Sequence, residues 1–161
     1  MEGGKSLRTI DELIAEHPVF AGLGAADLEL VAGCGRNVAF EAGEYLFREG
    51  QPADAFFLVR HGSVALEVFV PDRGPFVLDT VGEGELAGVS WLFPPYRWEL
   101  DGRAIEVTRA VSLDGACLRA KCDADPRLGY DLMKRFAAVA ARRMHSARLR
   151  LVDLYGHAPA R

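Results

Sequence analysis

The sequence has no run of about 18 apolar residues, the least that a membrane-crossing helix needs, so no membrane segment is expected. The N-terminus, MEGGKSLRTIDELIAEH, is charged throughout and lacks the apolar centre of a secretory signal. The expected location is the cytoplasm. Cysteine is scarce: Cys34, Cys117 and Cys122 are the whole supply. An odd count in a reducing compartment points to buried or incidental thiols. The stretch CLRAKC is not a CxxC pair, and no histidine lies near it. The four histidines, His17, His61, His145 and His157, are isolated, and no HExxH, GxSxG or phosphate-loop motif is present. No metal, cofactor or enzymatic activity is therefore expected. Internal repeats and low-complexity tracts are also missing.

What is present suits one globular domain. Half of the 161 residues are hydrophobic and about a quarter are charged, the balance of a chain that buries a core. The net charge of −4 is unevenly spread. Residues 1–125 carry 11 basic and 21 acidic side chains, a balance of −10, whereas residues 126–161 carry 8 and 2, a balance of +6. A basic segment is thus attached to an acidic body. Its cations, Arg127, Lys134, Arg135, Arg142, Arg143, Arg148 and Arg150, read as one charged face of an amphipathic helix, with the acidic body or a second copy as partner.

Hydrophobic periodicity divides the chain in three. TIDELIAEHPVF places Ile10, Leu13, Ile14 and Phe20 on a helical period that Pro18 stops, and AADLELVAGC reads as a second short helix. From Arg36 to about Leu118, short runs of Val, Leu, Phe and Ile are cut by glycines. SVALEVFV, FVLDTV and AIEVTRAVSL read as strands, with Val64, Leu66 and Val68 on one face of the first and Ala65 and Glu67 on the other. Short strands at such spacing predict an antiparallel sandwich or barrel. From Asp125-Pro126, a favourable cap and first-turn pair, the helical period returns and runs to Gly156. Leu128, Leu132, Phe136, Val139, Ala140 and Arg143 form its inner stripe, and Leu149, Val152 and Leu154 an apolar tip.

FEAGEYLFREGQPADAFFLVRHGSVALEV resembles the first half of the cyclic-nucleotide-binding domain, the module of catabolite-activator-like regulators and protein kinase A regulatory subunits. Gly43, Gly50, Phe57, Val59, Gly62 and Val64 carry the resemblance. It implies a mainly β fold with flanking helices: an antiparallel jelly-roll with short N-terminal helices and a long C-terminal dimerisation or lid helix. The expected single domain spans 1–161, with a helical lead-in at 7–35, the roll at 36–118, a phosphate cassette at 82–98 and the helix at 125–156.

Two alignments compete for the cassette in GEGELAGVSWLFPPYRW. One places Gly84-Glu85-Leu86 on the family's Gly-Glu-Leu. The other fits the family's Gly-x-Gly-acidic-apolar-x-Gly turn to Gly82, Gly84, Glu85 and Gly88, and its spacing is the better. Val89 then stands where the family has the glutamate that grips the ribose. Val89, Ser90, Trp91 and Leu92 open the cassette helix. Arg97 falls close to the family's phosphate arginine, and Trp98 takes the place of a small residue. Loss of a charge-assisted hydrogen bond at Val89 weakens cyclic AMP binding by about one to two powers of ten. Glu85 reads as a solvated turn residue, and Trp91 and Trp98 as packing.

The resemblance implies a regulatory module that binds a small anionic ligand, with cyclic AMP or cyclic GMP the first candidates, between the roll and the last helix. The expected ligand site is Gly88, Val89, Ser90, Trp91, Leu92, Arg97 and Trp98. Only HAPAR follows Gly156, too little for a helix-turn-helix, so DNA reading by that route is not expected. A homodimer through the C-terminal helix, or an unidentified protein partner, is. Two alternatives stand beside this one: a degenerate family member whose aromatic residues fill the pocket, acting as an interaction module, and a cupin-like small-molecule binder or enzyme.

Overall fold

The computed structural model describes residues 8–156; His157 and the rest of the tail lie outside the described residues. Helix α1 (Ile10–Glu16) starts at a capping box. The Thr9 hydroxyl accepts from the Glu12 N–H, and the Glu12 carboxylate accepts from the Thr9 N–H, so two otherwise orphaned donors are satisfied. Pro18 ends the helix as expected and opens a 3₁₀ turn, Pro18–Phe20, capped by His17 Nδ1, which accepts from the Val19 N–H at 3.3 Å. Helix α2 (Ala25–Ala32) completes the lead-in.

Eight strands follow: β1 (Gly35–Phe40), β2 (Tyr45–Phe47), β3 (Ala55–His61), β4 (Val64–Val70), β5 (Gly74–Val81), β6 (Leu86–Ala87), β7 (Asp101–Ala104) and β8 (Thr108–Asp114). They form two four-stranded sheets, ordered β1-β8-β3-β6 and β2-β7-β4-β5, with every pair antiparallel. This is the expected antiparallel β-roll with flanking helices. One strand differs from the sequence reading. AIEVTRAVSL is broken at Ile105–Val107, where the chain crosses from the second sheet to the first. Ile105 and Val107 keep the apolar alternation but are exposed at this corner, so periodicity alone runs straight through it. Both faces of β4 are buried from Val64 to Glu67, whereas Phe69 is exposed. Glu67, on the side expected to be polar, is 0% exposed because Arg103 of β7 covers it, with Nε and Nη2 at 2.9 and 2.5 Å from Oε1.

The roll ends at Asp114, and helix α3 (Gly115–Ala124) follows, where the sequence reading carries the roll on to Leu118. The Asp114 carboxylate caps it, accepting from the Cys117 N–H at 2.7 Å. Helix α4 (Pro126–Gly156) begins where the Asp125 cap predicts, with Asp125 Oδ1 accepting from the Leu128 N–H. Leu128, Leu132, Phe136 and Val139 are buried. Phe136 meets Phe20, Phe56 and Trp91 edge-on at centroid distances of 6.3, 5.3 and 5.3 Å, a contact that links helix, roll and cassette. Beyond Val139 the apolar tip leaves the core: Leu149, Leu151, Val152, Leu154 and Tyr155 are exposed.

The cysteines depart from expectation. Cys34 and Cys117 form a disulfide across 83 residues of sequence, and Cys122 is the free thiol. β1 and β8 pair in register from Gly35 and Leu113, which brings the residue before one strand to the helix after the other. That proximity depends on tertiary pairing and has no signature in cysteine spacing.

Candidate functional site

The cassette begins at the turn between β5 and β6. The Gly84 N–H donates to the Val59 carbonyl, and the Glu85 carbonyl accepts from the Val59 N–H, so the turn is laced to β3. Glu85 is exposed and reaches back to the Gly82 N–H, the solvated turn residue expected. At Gly88 the backbone has φ +100°, a region that excludes most side chains. Opposite it sits the Trp98 indole, stacked on Phe47 at 3.9 Å with a 13° interplanar angle. The Trp98 ring is thus packed inside the roll.

The structure brings together Gly88, Val89, Ser90 and Trp98, which line a cavity of about 110 Å³ with Phe47, Leu66 and Arg143. It does not bring Trp91, Leu92 or Arg97 there. The cassette helix is one 3₁₀ turn, Ser90–Leu92. Trp91 is fully buried on the other side, stacked on Phe56 at 4.6 Å, and its carbonyl accepts from Arg119. Leu92 lines a separate hollow toward α3 and α4. Arg97 is exposed, and its guanidinium donates to the Gly50 carbonyl at 3.0 Å. The reason is local. Arg97 forms an extended bridge with Pro52, and neighbours in extended backbone point to opposite sides. Seating Trp98 inward turns Arg97 outward.

The cation beside the cassette is Arg143 of α4. It borders the small cavity and also a larger cleft of about 490 Å³ between the roll and α4, which Asp79, Thr80, Gly84, Glu85, Arg142 and Ser146 help to line. Its Nη2 is buried and has no hydrogen-bond partner among the described residues. Burial pushes its pKa down, opposed by the charges of Asp79 and Glu85 and helped by Arg142. Burial raises the Asp79 carboxyl, yet its net shift is downward. The Arg150 hydrogen bond, the Thr80 N–H and the charges of Arg150 and Arg143 outweigh burial. The sequence reading places Arg143 on the inner stripe but not in the site. That stripe position, one turn beyond Val139, is the signal that could have found it.

The basic face of α4 is answered by the acidic body of the same chain. Arg127 makes a two-pronged contact with Asp27 at 2.8 and 3.1 Å, Arg135 donates to the Val19 and Ala21 carbonyls, and Arg150 holds Asp79 at 2.7 Å. Among the described residues no helix is long and apolar enough to cross a membrane, and no group of His, Cys, Asp or Glu is arranged to hold a metal ion.

The model of the family described as "Cyclic nucleotide-binding domain" matches residues 37–125. A Mycobacterium tuberculosis protein described as a CRP-like cAMP-activated global transcriptional regulator is 27% identical over 145 residues, 90% of this chain and 63% of its own length. A Rhodopseudomonas palustris protein, described as a candidate potassium channel protein, is 28% identical over 146 residues, 91% of this chain and 34% of its own length. The chain therefore spans between about a third and two thirds of these relatives. Among solved structures, a candidate cyclic nucleotide-binding protein from Geobacter metallireducens superposes with a TM-score of 0.75 at 29% identity, covering 86% of this chain and 100% of that one.

Proposed function

The chain belongs to the cyclic nucleotide-binding domain family, and from that premise we propose that it is a regulatory module that binds a small phosphate-bearing ligand, cyclic AMP or cyclic GMP first among them, in the cleft between the roll and α4. Arg143 carries this reading. It is the cation at the junction of the cassette cavity and the larger cleft, and it keeps a buried donor without an acceptor. A planar guanidinium in a partly desolvated site is suited to a phosphate. The cleft of about 490 Å³ is of the size that holds small ligands; the cavity of about 110 Å³ alone is below it. A ligand whose phosphate meets Arg143 touches the roll and α4 at once, so its affinity differs between two positions of the helix. That difference is all that a regulatory shift requires. We read the module as a regulator rather than an enzyme, in keeping with the regulator and the candidate channel among its relatives.

A second reading draws on the Trp98–Phe47 stack, which fills the roll interior. On that reading the module does not bind nucleotides and works through protein contacts made by the exposed tip of α4.

Calorimetric titration with cyclic AMP and cyclic GMP decides between the two. The sensor predicts saturable binding that weakens by at least about tenfold in Arg143→Gln and is little changed in Arg97→Gln. No heat with either nucleotide up to about 10 mM supports the non-binding module. Loss in Arg97→Gln alone would return the site to the cassette arginine.

A further inference from the structure

We propose that the chain carries a second anion site, on the opposite side of the β5–β6 turn from the roll–helix cleft, for a small polyanion bearing phosphate or carboxylate groups. A cavity of about 750 Å³ lies there, between α1, the end of β3 and the start of β8. Its wall carries Arg60, His61 and Arg109. The β3–β8 register shifts between Val59 and His61. A bulge at that point relaxes strict strand alternation, and both Arg60 and His61 border the cavity. Arg109 stands opposite His61 in the same register.

These cations are not neutralised by the protein. Arg60 donates to the amide oxygen of Asn37, an uncharged partner, at 3.3 Å. Among the described residues, the side chains of Arg109 and His61 make no ion pair or hydrogen bond. Of the two carboxylates on the wall, Glu16 is taken by Arg8, which leaves Glu83. Residues 1–125 have a balance of −10, and on this acidic body two arginines that share a cavity without an ion-pair partner are a focus for anions.

A second observation points the same way. His17 lines the cavity and is 5% exposed. Its Nδ1 accepts from the Val19 N–H, which places the proton of the neutral ring on Nε2. That donor is buried and makes no hydrogen bond, although the Val59 and Glu85 carbonyls lie near enough to favour its charged form. This wall residue thus keeps an unmet hydrogen bond, where buried donors are almost always satisfied. The volume accommodates a diphosphate or a tricarboxylate. Pro18 and Gly84 line this cavity and the roll–helix cleft alike, so one turn of backbone separates the two. The proposal does not depend on nucleotide binding in the cleft.

The test is titration of the whole chain with sodium pyrophosphate and with citrate at fixed ionic strength, by calorimetry and by the NMR resonances of the His17 ring. The expected result is saturable binding of at least one probe with a shift of His17. It weakens by about tenfold or more in the Arg60→Gln/Arg109→Gln double variant and persists in Arg143→Gln. Tighter pyrophosphate identifies phosphate chemistry; tighter citrate identifies carboxylate chemistry. Arg109→Gln alone, at an exposed position, gives the same direction should the double variant fold poorly. The proposal is overturned by no binding of either probe up to about 10 mM. It is equally overturned by unchanged binding in the arginine variants, or by binding that disappears in Arg143→Gln instead.

Discussion

The Trp98 ring lies against the α-carbon of Gly88: a Cβ at Gly88 would come within 2.6 Å of the indole edge. The stack on Phe47 holds the ring in place, so it cannot give way. Gly88→Ala therefore combines overpacking with a left-handed backbone that alanine resists, a cost of about 2–4 kcal/mol. Urea denaturation should show a lower midpoint at unchanged slope. The converse change, Trp98→Ser, removes a buried ring at a cost of about 3–5 kcal/mol but opens the roll. On the sensor reading it binds cyclic AMP more tightly than the parent while melting earlier. Equal or weaker affinity would show that Trp98 is not the obstruction.

His17 makes stability depend on pH. Burial holds its pKa below the usual 6.5, against the pull of the Glu85 and Val59 carbonyls. The unfolded chain takes up a proton below pH 6.5 that the folded ring resists, so the contribution is full above that pH and is lost as pH falls. His17→Asn keeps an acceptor for the Val19 N–H and removes the titration. Between about pH 7.5 and about pH 5 the parent should lose more stability than the variant. Parallel losses would place the titration elsewhere.

The Cys34–Cys117 bond closes a loop of 83 residues. Chain entropy for a loop of that length corresponds to roughly 4–5 kcal/mol. Melting with and without a reductant should differ by about 10–20 °C, and Cys117→Ser should melt like the reduced parent with no further response to reductant. Three titratable thiols in protein purified without reductant would show that the bond does not form.

Arg150 and Asp79 hold the outer half of α4 to β5. The pair is partly exposed and is worth about 1 kcal/mol or less, yet among the described residues few other polar contacts fix that part of the helix. Asp79→Asn should leave the melting temperature nearly unchanged while amide exchange over 144–156 quickens. High salt should produce the same effect in the parent. Exchange that is identical in the two proteins would mean that packing alone fixes the outer half.

Much of the architecture is readable because it rests on local signals. Thr9, Pro18 and Asp125-Pro126 mark helix ends through backbone chemistry, and the buried positions of α4 from Leu128 to Val139 follow a single period. What escapes is set by distant partners. Ile105–Val107 keeps strand periodicity through a corner, and α3 is ten residues with a mixed pattern. Glu67 is buried only because Arg103, 36 residues away, covers it. At the candidate site the glycine turn is legible, since the positive φ at Gly84 and Gly88 favours glycine. The direction of Arg97 is not, because it follows from which of two adjacent large side chains the roll interior accepts. Arg143 belongs to a different third of the chain and reaches the cassette through the docking of α4.

Helix α4 has 31 residues, about 46 Å at 1.5 Å per residue. Arg143 lies about 26 Å from its start and Tyr155 about 44 Å. Rotation about the Pro126 end therefore moves the tip about 1.7 times as far as the guanidinium. A phosphate that draws Arg143 by one bond length displaces the exposed leucines by about one and a half. The length of this helix past Arg143 is a mechanical gain: a movement at the guanidinium arrives at the leucines of the tip enlarged by about one half.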